Sequence, residues 1–455
     1  MSQPSITGPL RTVRAPGGVE APFFVIPFDE RGTCTGPATR DRLVALASSA
    51  TDVYVFSHGW NTDWRSATSR YDQFIRSYVA LRAHEWPQPD RRYRPILAGV
   101  FWPSAALVAP DEQAPDIAAG DADVAHAPDA AVMELAAGLP ADKAARLYEL
   151  ADRDTVSVDE GRELVALVGS QLALDDEVPG AGSPRDPDQL MQAWLAVSSA
   201  DGGPGGATSS PTGTMLDDDV LDDAPGADDL TPEAAFGLTD LSPRNLFRLT
   251  TVLKMKDRAG VVGSHGVADL LGRLHAAHDP EAAPPRIHLI GHSYGAKVLL
   301  SALRAAPGGQ AVVDSVLLLQ PAISAYCFAA AGEVPGTADE GGYRPTLGRT
   351  RQPVLCTFSR HDLALHRLFH WAARRAADLG EARVAAEPPS QYAALGGHGP
   401  QPRRAFPVVD AVHPPEAYRF PGGRAVGIRS DDVIGGHGDI VSPAVSWMLL
   451  SQVRG

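Results

Sequence analysis

Three residues in this 455-residue chain have the types and order needed for nucleophilic chemistry: Ser293, Asp362 and His437. Ser293 lies in Gly291-His292-Ser293-Tyr294-Gly295, a G-x-S-x-G pattern. The apolar run Ile287 to Ile290 precedes it, and apolar residues recur at helical spacing from Ala296 to Leu303. This reads as a buried strand, a tight turn and a helix, with the serine at the apex. Such a turn strains the serine backbone and holds its hydroxyl clear of the sheet. The free N–H groups at the start of the helix then face any negative charge that develops there. Serine is a weak nucleophile until a base takes its proton. Histidine suits that role because its unperturbed pKa lies near neutrality, and His437 sits in the glycine-rich loop Gly435-Gly436-His437-Gly438. A carboxylate must orient the ring and stabilise its charged form. Asp362, in Ser359-Arg360-His361-Asp362, is the preferred acid. Asp432 and Asp439 compete for that role, and His361, His366 and His413 compete for the base.

An attacked carbonyl also needs two N–H donors for its oxyanion. The backbone of Tyr294, next after the serine, is one candidate. The loop His58-Gly59-Trp60-Asn61, which follows the apolar run Val53 to Phe56, offers the Trp60 N–H as the other. His58, Gly59, Asn61 and Trp102 are the residues expected along the substrate. No cofactor and no metal is required by this chemistry.

These groups must be brought together by a scaffold, and the hydropathy pattern supplies one. Apolar runs at Phe23–Phe28, Val53–Phe56, Ile96–Phe101, 287–290, 313–319, 354–358 and 425–428 read as buried strands. Helical periodicity lies between them at 38–49, 63–84, 294–306, 363–377 and 442–453. Residues 246–277 read as helical in parts, with a break at Gly260 to Gly266. Strands alternating with helices predict an α/β class, with a doubly wound, mostly parallel sheet. Ligands bind such sheets at the carboxyl ends of the strands. His58, Trp102, Ser293, Gln320-Pro321, Asp362 and His437 all fall there.

The rhythm is interrupted once. Between residues 105 and 245 there are 29 acidic residues against 6 basic ones, while the rest of the chain carries 34 basic and 26 acidic. The net charge of −15 therefore belongs to an insertion. Within it, 129–150, 158–173 and 187–198 read as helices, and Ser157-Val158-Asp159-Glu160 forms a capping-box pattern. Residues 199–229, rich in Gly, Ser, Pro and Asp, cannot bury a core and are expected to be flexible. The expected divisions are a flexible start at 1–21, a core at 22–104, the insertion at 105–245 as a lid or partner module, and a second core part at 246–455.

Other function classes are excluded by what is missing. There is no basic cluster with interleaved aromatics, which argues against nucleic-acid binding. No run reaches the length of a transmembrane helix, and no signal peptide is visible. Cys34, Cys327 and Cys356 form neither a disulfide framework nor a metal motif. A cytoplasmic location is expected.

The motifs His58-Gly59-Trp60-Asn61, Phe101-Trp102-Pro103-Ser104, Gly291-His292-Ser293-Tyr294-Gly295, Ser359-Arg360-His361-Asp362 and His437 together resemble the α/β-hydrolase superfamily. Within it they are similar to a poorly characterised group of bacterial serine hydrolases. The resemblance covers about 22–104 and 246–453. It implies Ser293 as nucleophile, Asp362 as acid, His437 as base, and Trp60 and Tyr294 as oxyanion donors. It also implies acyl transfer from a small-molecule or lipid ester to water, as in an esterase or lipase-like enzyme. Amide or peptide hydrolysis by the same triad is the nearest alternative, and a non-catalytic binding protein on the same scaffold is another. Many members carry a cap after the sixth strand. Here that position, 321–352, is a modest loop, and the long insertion follows Phe101-Trp102-Pro103-Ser104 instead.

Overall fold

The computed structural model describes residues 8–14, 18–60, 62–86, 93–104, 127–170, 187–188, 190–191, 194, 241–277, 283–306, 313–362, 364–369 and 393–454. The expected Asn61 contact, the flexible stretch 199–229 and most of the helix expected at 363–377 lie outside these residues. So does much of the third insertion helix.

Nine strands form one sheet in the order β1-β2-β4-β3-β5-β6-β7-β9-β8. They are β1 Arg11–Arg14, β2 Glu20–Pro27, β3 Asp52–Ser57, β4 Pro95–Phe101, β5 Arg286–His292, β6 Ser315–Leu319, β7 Val354–Phe358, β8 Val408–Asp410 and β9 Ala425–Arg429. Every pairing is parallel except β1 with β2. The chain is therefore α/β, with a mostly parallel sheet flanked by helices.

The sheet forms where it does because its central strands are buried on both faces. All six residues of β3 are buried, as are all five of β6 and all five of β7. Successive side chains point to opposite faces. Val53 and Val55 enter one core while Tyr54 and Phe56 enter the other. The first core lies under helices α1 Pro37–Ala47, α6 Pro243–Val261, α7 Ala268–Ala276 and α8 Tyr294–Ala305. The second lies under α2 Trp64–Glu85 and α9 Pro443–Arg454. Asp63 begins α2 by accepting the Ser66 N–H, a cap that satisfies one of the first free donors.

Several expectations about local structure need correction. The opening segment is not loose throughout: Arg11–Arg14 pairs with Glu20–Phe23 as an antiparallel edge strand. The glycines at 260–266 do not break the helix. The chain passes from α6 through a π-helical turn, Val262–Val267, directly into α7. Glycine is needed here for close approach. A Cβ at Gly263 would lie 2.2 Å from the Val298 carbonyl oxygen, and one at Gly266 2.4 Å from that of Gly32.

The expected helix at 129–150 is two helices, α3 Ala127–Ala137 and α4 Ala141–Ala151. Pro140 separates them as the N-cap of α4, since proline cannot continue a helix interior. Helix α5, Val158–Gly169, opens with the capping box, Ser157 and Glu160 bonding reciprocally. These helices share a core of their own that includes Leu135, Leu147, Leu150, Leu164 and Trp194. That core also takes in Leu246 and Phe247 from the start of α6, whose later residues Met255 and Ala259 belong to the main core. Position 245/246 thus falls inside α6, one rod anchored in both cores. Glu134 of α3 pairs with Lys254 and Arg258 of α6, and Arg258 also donates to the Pro103 carbonyl.

Candidate active site

Connections leave β3 toward β4 on one side, while β5 lies on its other side and leads away to β6. Crevices form at such a reversal, outside the carboxyl ends of the strands. Ser57 pairs with Gly291 at the ends of β3 and β5. The residues just beyond them, Gly59 and Ser293, meet in that crevice.

Ser293 has a φ of 54° and a ψ of −125°. A non-glycine residue with positive φ is strained and rare. The strain is held by backbone bonds. Ser293 N–H donates to the Leu319 carbonyl at 3.1 Å, and the Ser293 carbonyl accepts from Ala296 and Ala322. The flanking glycines are obligatory for packing. A Cβ at Gly291 would meet the Ala296 Cα at 2.8 Å, and one at Gly295 would meet the Ser57 carbonyl oxygen at 2.1 Å. Strand, turn and helix therefore close on one another only because those Cβ atoms are absent.

His437 reaches this serine from the loop after β9. Its Nε2 lies 2.9 Å from Ser293 Oγ, and its Nδ1 lies 2.8 Å from Asp362 Oδ2. Asp362 follows β7 and has no exposed surface. Its other oxygen, Oδ1, accepts the Leu365 N–H at 3.0 Å. One carboxylate thus caps the following turn and holds the imidazole, with a different oxygen for each. Asp432 makes no such contact among the described residues, and Asp439 accepts instead from the Gly435 N–H. His361 and His366 lie near Ser359 and Arg360 and do not bond Ser293.

The His437 loop is pinned from two sides. Ser359 Oγ donates to the Ile434 carbonyl at 2.9 Å, and His292 Nε2 donates to the His437 carbonyl at 2.8 Å. His292 thus supports the His437 loop, a contact that its place as the variable residue of G-x-S-x-G did not single out. Burial, with the nearby His437 second, pushes its pKa well below the usual 6.5. It is therefore neutral, with its proton on Nε2.

On the opposite side, His58 is fully buried and its ring stacks on Trp102 at 5.5 Å. Its Nε2 accepts the Trp102 N–H, its Nδ1 donates to the Gly59 carbonyl, and the Trp102 indole N–H donates to the His58 carbonyl. Burial lowers its pKa to about 4, so this ring is neutral too. Ser104 Oγ donates to the Thr62 carbonyl and accepts the Thr62 N–H. Tyr71 of α2, unremarked in the sequence, accepts the His58 N–H at 2.8 Å and donates to the Val100 carbonyl at 2.6 Å. Its ring fits against the sheet because Gly99 has no Cβ, which would lie 2.5 Å away. The expectation that His58 and Trp102 touch substrate is corrected. Neither side chain has exposed surface, and their polar atoms are spent on holding the 58–62 loop. Gly59 does face the site, since a Cβ there would lie 3.1 Å from Ser293 Oγ. Trp60 is partly buried against the main core, and Tyr294 begins α8 directly after the serine.

The arrangement can move a proton from a hydroxyl to an imidazole whose other nitrogen faces a buried carboxylate. Compared with known proteins, the chain matches no family model, no curated protein and no solved structure.

Proposed function

We propose that this protein is a serine hydrolase that cleaves carboxylic esters through an acyl-enzyme, on an α/β-hydrolase-type scaffold. The observation that carries the reading is the continuous bonding from Ser293 through His437 to Asp362, at 2.9 and 2.8 Å.

His437 Nε2 takes the hydroxyl proton as Ser293 Oγ attacks the ester carbonyl. Asp362 keeps the ring in the tautomer with its proton on Nδ1 and stabilises the imidazolium that forms. The backbone N–H groups of Tyr294 and Trp60 bind the oxyanion, the first aided by the start of α8. Collapse of the tetrahedral adduct breaks the C–O bond, and His437 returns its proton to the departing alkoxide. Water then attacks the acyl-serine with His437 again as base. This releases the acid and restores the Ser293 hydroxyl.

Among the described residues no helix is long and apolar enough to cross a membrane. Ester substrates, small or lipid, and a protein partner for the acidic insertion belong to this proposal.

A fluorophosphonate probe tests it. Labelling of the wild type and not of Ser293→Ala is expected. An unlabelled wild type would overturn the hydrolase reading in favour of a binding protein. A chain-length series of p-nitrophenyl esters, run beside matched anilides, then separates esterase from amidase.

A further inference from the structure

Among the described residues only two that are not glycine have positive φ: Ser293, at 54°, and Gln320, at 45°. Backbone strain of this kind persists where the surroundings over-determine it, and it gathers at functional sites. Ser293 accounts for itself through the chemistry above. Gln320 has no role in it, yet it directly follows β6, which lies between the strands that lead to Ser293 and to Asp362.

The Gln320 side chain has no exposed surface, and every polar atom of its amide is bonded. Its backbone N–H donates to Thr357 Oγ1 at 2.9 Å, and that hydroxyl donates back to Gln320 Oε1 at 3.0 Å. Asp362 Oδ2 and the Gly396 carbonyl can only accept, so the amide presents Nε2 to them and Oε1 to the Thr357 hydroxyl. This fixes the amide orientation and leaves Nε2 as the donor on the far side. Nε2 donates to Asp362 Oδ2 at 2.9 Å and, more weakly, to the Gly396 carbonyl at 3.4 Å. Oδ2 is the same oxygen that faces His437 Nδ1. The close fit is enforced from behind, since a Cβ at Gly396 would lie 2.5 Å from the Gln320 carbonyl carbon.

We infer that Gln320 is a positioning residue for the proton relay: its strained backbone aims an amide donor at Asp362 and fixes which carboxylate oxygen meets His437. The inference rests on the hydrolase reading for its kinetic consequence, though not for the geometry. A supporting donor of this kind sets the orientation and charge distribution of the group it holds. It also shares Oδ2 with the imidazole N–H, and so tempers the pull of the carboxylate on the ring.

Two near-isosteric variants test this, Gln320→Met and Gln320→Glu. Gln320→Met removes the donor. It is expected to lower kcat by about 10- to 100-fold with KM within about twofold, because Gln320 is not placed against substrate. Gln320→Glu puts a second carboxyl beside Asp362. Two buried carboxyls this close cannot both ionise, so the glutamate keeps its proton and donates more strongly to Oδ2, and the acid limb of kcat/KM is expected to move down by about one pH unit. A readout independent of turnover is the downfield proton resonance of the His437–Asp362 hydrogen bond in 15N-labelled protein, which shifts in both variants. A folded Gln320→Met with unchanged kcat, or a Gln320→Glu profile and resonance that match wild type, would overturn the assignment. A wild type that neither labels nor turns over, but whose resonance responds to Gln320, would sink the hydrolase reading and leave the positioning role standing.

Discussion

Gly59 and Ser293 touch so closely that a Cβ at position 59 would lie 2.5 Å from the Ser293 Cβ. That separation is well inside van der Waals contact, so the loop after β3 and the Ser293 turn are two halves of one fitted joint. A methyl group at Gly59 must displace either the serine side chain or the loop that carries Trp60. Misplacing a reacting group by about 1 Å can cost about 100-fold in rate. Gly59→Ala is therefore expected to fall in kcat/KM by about that factor. Overpacking of this kind also costs about 1–3 kcal/mol of stability, so the thermal unfolding midpoint should fall by a few degrees while the protein still folds. Steady-state kinetics beside calorimetry checks this, and unchanged kcat/KM would show that the joint is looser than drawn.

The acid should be identified by charge removal. Asp362→Asn is expected to lower kcat by about 10⁴-fold, because the amide favours the wrong imidazole tautomer. Asp432→Asn should remain within about twofold of wild type. Kinetics of the two variants on one ester substrate decides the matter, and a reversal of the two effects would move the acid to the loop after β9.

His58 makes folding sensitive to acid. Its folded pKa, about 4, lies below the ordinary 6.5 because burial disfavours the charged ring. Between those values the unfolded chain binds the proton and the folded chain does not, so stability rises with pH across this window. The contribution is complete above about 6.5 and is lost as pH falls toward about 4, amounting to roughly 3 kcal/mol at the acid end. His292, also pushed down by burial, acts in the same direction. Denaturant unfolding from pH 7 to pH 4.5 should show a shallower loss for His58→Asn than for wild type. Parallel curves for the two proteins would contradict the assignment.

The helical insertion has its own core, and its stability should be separable from that of the site. Leu164 is fully buried there. Leu164→Ala should cost about 2–5 kcal/mol through lost burial and the cavity left behind. Hydrogen exchange at 127–169 should accelerate while the strands around Ser293 keep their protection. Equal acceleration in β3 and β5 would mean that α6 couples the two cores into one unfolding unit.

Much of this fold was legible because its central strands are buried on both faces and so read as unbroken apolar runs. The ends of the sheet were not. Arg11–Arg14 buries only Val13, and Val408–Asp410 is three residues long, so neither shows a period. Glycine composition at 260–266 suggested a break because composition does not distinguish a flexible glycine from one pressed against Val298. Ser293, His437 and Asp362, which the structure brings into hydrogen-bond contact, were visible through type, order and position at strand ends. Their supports were not, because Tyr71, His292 and Gln320 act by donating to or accepting from groups far away in sequence. Gln320-Pro321 was noticed only as a strand terminus. What marks it is a positive φ, which no sequence pattern announces outside glycine.

The outermost strands also bear on how copies of the chain meet. Exposed strand edges invite pairing with another molecule unless they are short or charged. Here β8 offers only three residues, while β1 presents Arg11 and Arg14, tied to Asp72 and Glu20. Neither border provides a long, flat, neutral template for a neighbour's backbone. Among the described residues the two ends of the sheet thus disfavour edge-to-edge fibre growth.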